Sequence, residues 1–272
     1  MTFLRSIICQ IVFYLNFLCF GGMCFFVLFF PQRWVYLYAI HWKRVTMFLW
    51  TLTTNSTIEI RGEENIPEGG FIVASKHQST WETLAFGTLL DKIVFIMKQE
   101  LMYLPMFGWF TWRTGMIPIK REDKGKVVGP MTKAAKKAVD KGHRIIIFME
   151  GTRVAAGKKG RYRTGVARLS ESLDCAIVPV ALNAGLFWPR NSFWRYSGNL
   201  IVEYLPPIQP GKPVRETMEI LEREVEEASN RLLLETAATP NPPPTIHEAL
   251  DELEKRGVDI SSVRPNASNS SK

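Results

Sequence analysis

Short runs of apolar residues recur along the chain and predict its strands. They are rich in Val and Ile and five to seven residues long, which is typical of β-strands. The runs lie at 57–61, 70–74, 93–97, 115–119, 144–149, 176–182 and 200–204. Segments with helical periodicity separate or follow them, at 80–90, 104–112, 125–141, 164–173, 214–236 and 246–256. Strands that alternate with helices predict an α/β fold whose sheet is covered on its faces.

The N-terminal region predicts attachment to a membrane. Residues 7–30 contain no charge, and the run is longer than the ~20 apolar residues that cross a bilayer. A cleaved signal peptide is the alternative, but it would have an apolar region of ~7–15 residues and a small-residue cleavage site. Residues 33–54 repeat apolar side chains at helical spacing around Lys43 and Arg44. This pattern favours an interfacial helix, with a soluble amphipathic helix as the alternative.

The charged residues around the apolar run predict the orientation of the chain in the membrane. Arg33, Lys43 and Arg44 follow the apolar run, whereas only Arg5 precedes it. The positive-inside rule therefore places the bulk of the protein on the cytoplasmic side of the inner membrane. The predicted parts are a membrane anchor at 1–56, an α/β domain at 57–236, and a Pro-rich linker, short helix and disordered tail at 237–272.

Composition narrows the possible functions. A net charge of +8 and a pI near 9.3 favour anionic partners such as nucleic acid, an anionic membrane or phosphorylated substrates. No nucleic-acid-binding motif is present and the basic residues are scattered among apolar segments, so nucleic acid is not expected as a partner. The four cysteines form no CxxC or Cys/His cluster, so neither a disulfide framework nor a metal site is expected.

Residues 71–82 carry the first candidate chemistry. An apolar run at 71–74 ends in Ser-Lys-His77, and Glu82 follows five residues after the histidine. Ligands bind beyond the carboxyl ends of strands in open α/β folds. An imidazole is a natural general base near neutral pH, and a carboxylate can fix its tautomer. The alternative interpretation is a loop histidine with an unrelated surface glutamate.

Four further motifs follow this one in order. They are Met97-Lys98-Gln-Glu100-Leu101, Gly115-Met-Ile-Pro-Ile-Lys120-Arg121, Phe148-Met-Glu150-Gly151-Thr152-Arg153 and Ile177-Val-Pro179-Val180. Together with His77-x4-Glu82 and the apolar N-terminus, they resemble the glycerolipid acyltransferase family over roughly residues 60–210. Two positions depart from the family pattern: Glu82 stands in place of Asp, and Met149 stands in place of Pro.

The resemblance implies a mixed, mostly parallel sheet flanked by helices and an enzyme of phospholipid biosynthesis. It implies acyl transfer from acyl-CoA or acyl-carrier protein to the sn-2 hydroxyl of 1-acylglycerol-3-phosphate (lysophosphatidic acid), which forms phosphatidic acid. No cofactor beyond this co-substrate is expected. Another lysophospholipid, a lyso-aminolipid or glycerol-3-phosphate are alternative acceptors. A membrane-anchored lipid-binding scaffold is the alternative without enzymatic activity.

His77 is the expected general base and Glu82 the group that orients it. On a regular helix, residues five positions apart point about 140° away from each other. The pair therefore predicts that His77 lies before the helix begins or in an irregular turn.

A phosphate site is expected around two basic residues. Arg153 can bind phosphate through two guanidinium N–H groups, and Lys98 can add a point charge. A structural salt bridge is the alternative for Arg153, and a strand-end lysine that reaches solvent is the alternative for Lys98. The other candidates for this site are Glu150, Gly151 and Thr152, with Lys120 and Arg121 as secondary candidates.

Two further segments have more than one possible role. Residues 124–141 predict an amphipathic helix with a basic face, which suits solvent, an acidic membrane or an acidic acyl-carrier protein. Residues 185–198 are aromatic and basic. They could cover the site, rest on the membrane or pack on the domain.

Overall fold

The computed structural model describes residues 2–104, 107–119 and 129–264. The strands β1 to β7 are Thr57–Arg61, Ile72–Ser75, Ile93–Lys98, Ile117–Ile119, Arg144–Phe148, Ile177–Leu182 and Asn199–Tyr204. The helices α1 to α9 are Thr2–Val27, Gln32–Thr54, Trp81–Leu89, Phe107–Arg113, Gly129–Val139, Gly165–Leu173, Ala184–Phe187, Val214–Ala237 and Ile246–Lys255. Within the described residues, each predicted strand and helix is confirmed, and α7 is an additional short helix in the aromatic loop.

Within these residues the strands form one sheet in the order β1-β7-β6-β2-β5-β3-β4. Neighbouring strands are parallel except for the antiparallel pair β6 and β7. This confirms the mixed, mostly parallel sheet. All four residues of β2 are buried, because helices cover both faces of the sheet at its centre. The strands β5 and β6 lie on either side of β2 and run parallel to it. The carboxyl ends of the three strands therefore lie side by side at the C-terminal edge of the sheet.

Alternate residues of the strands point into two cores, one on each face of the sheet. Phe71 and Val73 lie in the core that includes residues of α2, α3 and α9. Ile72 and Ala74 lie in the core that includes residues of α5, α6 and α8. The apolar residues of α9 are buried, so the chain after residue 236 contributes to the packed body of the protein.

The helix α1 contacts the rest of the protein at both of its ends. Near its start, the Phe3 ring lies 5.9 Å from the Phe193 ring, and Gln10 donates a hydrogen bond of 3.1 Å to the Phe193 carbonyl. Beyond its end, the Phe30 carbonyl accepts a hydrogen bond from the Arg113 guanidinium on α4. Of the described helices, α1 is the one whose length and composition would allow it to cross a membrane.

Candidate active site

An irregular segment that contains His77 connects β2 to α3. The strand β2 stops at Ser75 and α3 starts at Trp81, so no regular helix runs through His77 and Glu82. The prediction that His77 lies before the helix is therefore confirmed. The irregular path brings the His77 Nδ1 atom within 2.9 Å of Glu82 Oε1.

Glu82 fixes this segment with a single carboxylate oxygen. Its Oε1 atom also accepts the backbone N–H groups of Gln78 and Ser79, each at 2.7 Å. The Ser79 hydroxyl accepts the N–H of Trp81, the first residue of α3, at 3.1 Å. A carboxylate in the first turn is also favoured by the partial positive charge of a helix N-terminus. Glu82 therefore acts on the backbone and the imidazole together.

The His77 ring is held flat against Phe148, the last residue of β5. The ring centroids are 4.0 Å apart and the planes differ by 14°. The His77 side chain is 17% exposed, while that of Glu82 is 1% exposed. An ionised carboxylate only accepts hydrogen bonds, so the neutral imidazole carries its proton on Nδ1. The Nε2 atom is then the nitrogen that can take up a proton.

The segment after β5 is tied to the His77 segment in three places. Glu150 Oε2 accepts the backbone N–H of His77 at 2.9 Å, and the N–H of Val154 donates to the His77 carbonyl at 2.7 Å. The Arg153 Nη1 atom donates to the Thr80 hydroxyl at 2.8 Å. These contacts place the Arg153 guanidinium against Thr80, which lies between His77 and Glu82 in the chain.

The remaining phosphate-site candidates lie along the same sheet edge. Gly151 and Thr152 are exposed in the turn after β5, and Gly151 has a φ of +64°, which glycine adopts at little cost. Lys98 is the half-buried last residue of β3, and β5 separates this strand from β2.

Lys98 has no described contact with the site, and two further candidates lie outside the described residues. No hydrogen bond or ion pair joins Lys98 to His77 or Arg153 in the part of the chain that the structure describes. Lys120 and Arg121, as well as residues 124–128 of the predicted basic helix, lie outside the described residues.

Beneath the His77 segment lies a group of ionisable side chains that sequence patterns did not indicate. Lys76 Nζ lies 2.5 Å from Glu226 Oε1 and 3.8 Å from Glu150 Oε1. Tyr162 and Arg256 each donate a hydrogen bond of 2.7 Å to Glu226. We call these five residues the buried charge cluster. Of its members, only Glu150 was predicted as a site residue from the sequence, and a further signal is Glu226, which lies beside the apolar stripe of α8.

The two carboxylates of the cluster titrate differently. Burial, with the neighbouring Glu226 and Glu82 charges, raises the pKa of Glu150 to about 7, although Lys76 opposes the shift. Burial also disfavours the ionised form of Glu226. Even so, Lys76, Tyr162 and Arg256 together lower the pKa of that carboxyl below its usual range.

Comparison with known proteins identifies the family of the chain. A family model described as Acyltransferase matches residues 57–183. The 1-acyl-sn-glycerol-3-phosphate acyltransferase of Pseudomonas aeruginosa is 33% identical over 184 residues, which cover 67% of this chain and 72% of that protein. The chain belongs to the acyltransferase family.

Two further similar proteins match at lower identity. The human 1-acyl-sn-glycerol-3-phosphate acyltransferase alpha is 29% identical, and the match spans 56% of this chain and 54% of that relative. The crystal structure of the 1-acyl-sn-glycerophosphate (LPA) acyltransferase PlsC from Thermotoga maritima superposes with a TM-score of 0.68 at 20% identity, covering 85% of this acyltransferase and 98% of that chain. That likeness supports the fold.

The raised pKa of Glu150 predicts a pH dependence of stability. Between the usual value of 4.5 and about 7, the folded acyltransferase retains a proton that the unfolded chain releases. The stabilisation is therefore complete below pH 4.5 and is lost as the pH rises through 7, by an amount on the order of 3 kcal/mol. Glu150→Gln keeps an acceptor for the His77 N–H and removes this titration.

Thermal unfolding in detergent at pH 5 and pH 8 measures the effect. We expect the melting temperature of wild type to fall more between these values than that of Glu150→Gln. The exposed Glu216, on α8, provides the control substitution Glu216→Gln, which should follow wild type. Parallel curves for wild type and Glu150→Gln would show that this carboxyl does not titrate in the window.

Proposed function

We propose that this acyltransferase transfers an acyl group from a thioester to the sn-2 hydroxyl of 1-acylglycerol-3-phosphate, forming phosphatidic acid. The observation that carries the proposal is the His77–Glu82 contact of 2.9 Å, in a segment whose Thr80 hydroxyl accepts a hydrogen bond from Arg153. It joins a base and a phosphate-binding cation at one sheet edge. The names of the Pseudomonas aeruginosa and human relatives support the acceptor.

His77 is the general base in this proposal. Its Nε2 atom takes the proton of the acceptor hydroxyl as the hydroxyl oxygen attacks the thioester carbonyl. The C–S bond then breaks, and the imidazolium returns the proton to the departing thiolate. Glu82 orients the ring and stabilises the imidazolium, as a carboxylate does in a Ser-His-Asp triad. The substrate hydroxyl attacks directly, so no covalent acyl-enzyme and no further cofactor are needed.

Arg153 is the principal phosphate ligand in this proposal. Its Nη1 atom contacts Thr80, which leaves the other guanidinium N–H groups for the acceptor. Thr152 can donate a hydroxyl and Gly151 allows close approach of the backbone. Lys98 adds positive charge from the end of β3. Glu150 supports the site from below, because its side chain is buried against Lys76 and the His77 N–H.

The same geometry supports access to the site from a membrane. The exposed large apolar side chains of the described residues lie in α1 and the turn after it, in α2, between 101 and 112, and at 193–194. The 101–112 stretch begins three residues after Lys98. The 193–194 segment belongs to the aromatic loop, in which Arg190 donates a hydrogen bond to the Arg153 carbonyl. Apolar surface therefore borders the polar site on two sides.

We infer that α1 lies along one leaflet, because its N-terminal part and the turn just after its end both contact the catalytic domain. With these contacts, the residues before and after α1 lie on the same side of the membrane as the domain. The basic residues around it favour the cytoplasm as that side.

Substitution of the base tests the reaction. We expect His77→Ala to lower kcat by ~10²- to 10⁴-fold, the usual contribution of a general base. His143→Ala, which removes a histidine just before the start of β5, should retain wild-type activity. The assay combines acyl-CoA and acyl-carrier protein donors with lysophosphatidic acid. Transfer by His77→Ala at the wild-type rate would refute the base. Absence of transfer by wild type with either donor would favour the scaffold.

Substitution of the phosphate ligand tests the acceptor. Hydrogen bonds to charged groups contribute ~1.5–3 kcal/mol, so Arg153→Gln should raise the KM for lysophosphatidic acid by ~10- to 100-fold. The KM for the acyl donor should change little. Arg215→Gln, at a side chain that is 92% exposed on α8, is the control. If wild type prefers a lysophospholipid with a larger headgroup or glycerol-3-phosphate, the named acceptor is wrong.

Labelling in sealed vesicles tests the position of α1. In a cysteine-free background, Thr2→Cys and Gln32→Cys mark the two ends of the helix, and Lys212→Cys marks the domain. A membrane-impermeant maleimide should label all three from the same side. Labelling of position 2 only from the side opposite to position 212 would show that α1 spans the bilayer.

A further inference from the structure

The buried charge cluster lies under the His77 segment and is largely closed to solvent. The Lys76 side chain is 2% exposed, and the Glu150 and Glu226 side chains are 0% and 9% exposed. Buried charges are costly unless they are paired. The position of each member therefore depends on the others, and removal of one charge changes the ion pairs of the remaining members.

Two members lie outside the part of the chain that the acyltransferase family model matches. Glu226 lies on α8 and Arg256 directly follows α9, whereas the model covers residues 57–183. The Arg256 Nη2 atom donates to Glu226 Oε2 at 2.7 Å, and its Nη1 atom donates to the Gly157 carbonyl at 2.7 Å. One arginine thus joins the C-terminal helices to the loop that follows Arg153.

A continuous path of contacts runs from Arg256 to the catalytic segment. Arg256 holds Glu226, Glu226 holds the Lys76 ammonium, and Lys76 lies between Glu226 and Glu150. The other oxygen of Glu150 accepts the backbone N–H of His77. Lys76 also immediately precedes His77 in the chain, so the two residues are linked through the backbone as well.

The distances indicate which of the two carboxylates pairs with Lys76. Lys76 is close to Glu226, at 2.5 Å, and only within ion-pair range of Glu150, at 3.8 Å. Without the Glu226 charge, Glu150 is the nearby acid left in the described residues to pair with Lys76. A shift of the ammonium towards Glu150 would draw that carboxylate away from the His77 N–H.

We propose that Glu226 and Arg256 are positioning residues for acyl transfer, which hold Lys76 so that Glu150 can fix the His77 segment. The inference rests on the proposed function, in which His77 is the base. Neither residue contacts the reacting atoms. Their loss should therefore affect the catalytic step and leave the binding of both substrates, at Arg153 and along the apolar surface, largely unchanged.

Glu226→Gln and Arg256→Gln test this inference. Both keep hydrogen-bonding groups and remove one charge. We expect kcat to fall on the order of 10-fold for Glu226→Gln, less than the ~10²-fold that a 1 Å misplacement can cost. KM for lysophosphatidic acid and for the donor should stay within about twofold of wild type, as expected when an interaction acts on the transition state alone. Arg256→Lys, which keeps the charge, should recover most of the activity lost in Arg256→Gln.

The controls separate positioning from general stability. Glu235→Gln removes another α8 carboxylate that pairs with an arginine, Arg61, and should leave kcat unchanged. Activities are corrected for the folded fraction measured by thermal unfolding. If Glu226→Gln does not fold, Arg256→Gln decides the question, because that side chain is 21% exposed.

The outcomes are distinguishable. Unchanged kcat in the folded variants, a change confined to KM, or no recovery in Arg256→Lys would each overturn the positioning role while leaving the proposed function intact. A wild-type enzyme that transfers no acyl group would refute the proposed function instead.

Discussion

One carboxylate oxygen sets the path of the chain between β2 and α3. Glu82 Oε1 receives the His77 imidazole and two backbone N–H groups within three ångströms. These interactions compensate for the hydrogen bonds that the backbone loses when β2 ends inside the protein. They also require Glu82 to lie in the first turn of the helix and His77 to lie before it. The orientation of the imidazole is thus a consequence of the same contact that ends the strand and starts the helix.

The parallel sheet brings the remaining parts of the site to this point. Because β5 is next to β2, the turn after β5 meets the His77 segment and is held to it by Glu150, Arg153 and Val154. The strand β3 carries Lys98 to the same edge. Exposed apolar residues follow Lys98 and Arg190 in the chain, which suits the proposed substrate, with its phosphate at one end and its acyl chain at the other.

Sequence patterns predicted the strands, the long helices and the His77–Glu82 geometry, since each depends on local periodicity or on residues five positions apart. They did not reveal the role of Lys76. Its partner Glu226 is 150 residues away, and a lysine after a strand is indistinguishable in sequence from one that reaches solvent. The glutamate at position 82, where the family pattern has aspartate, reaches the imidazole because Glu82 is the second residue of α3 and His77 lies in the irregular segment before it. The packing of α9 into the core depends on long-range contacts that local patterns do not contain.

A structure of the enzyme with lysophosphatidic acid and a non-reactive acyl thioester analogue tests the central claim most directly. The account predicts that the sn-2 hydroxyl lies ~2.6–3.2 Å from His77 Nε2, the reach of a general base. Glu82 should remain on Nδ1, and the acceptor phosphate should contact Arg153. A hydroxyl placed away from His77, or a phosphate bound elsewhere with the imidazole turned from Glu82, would contradict it.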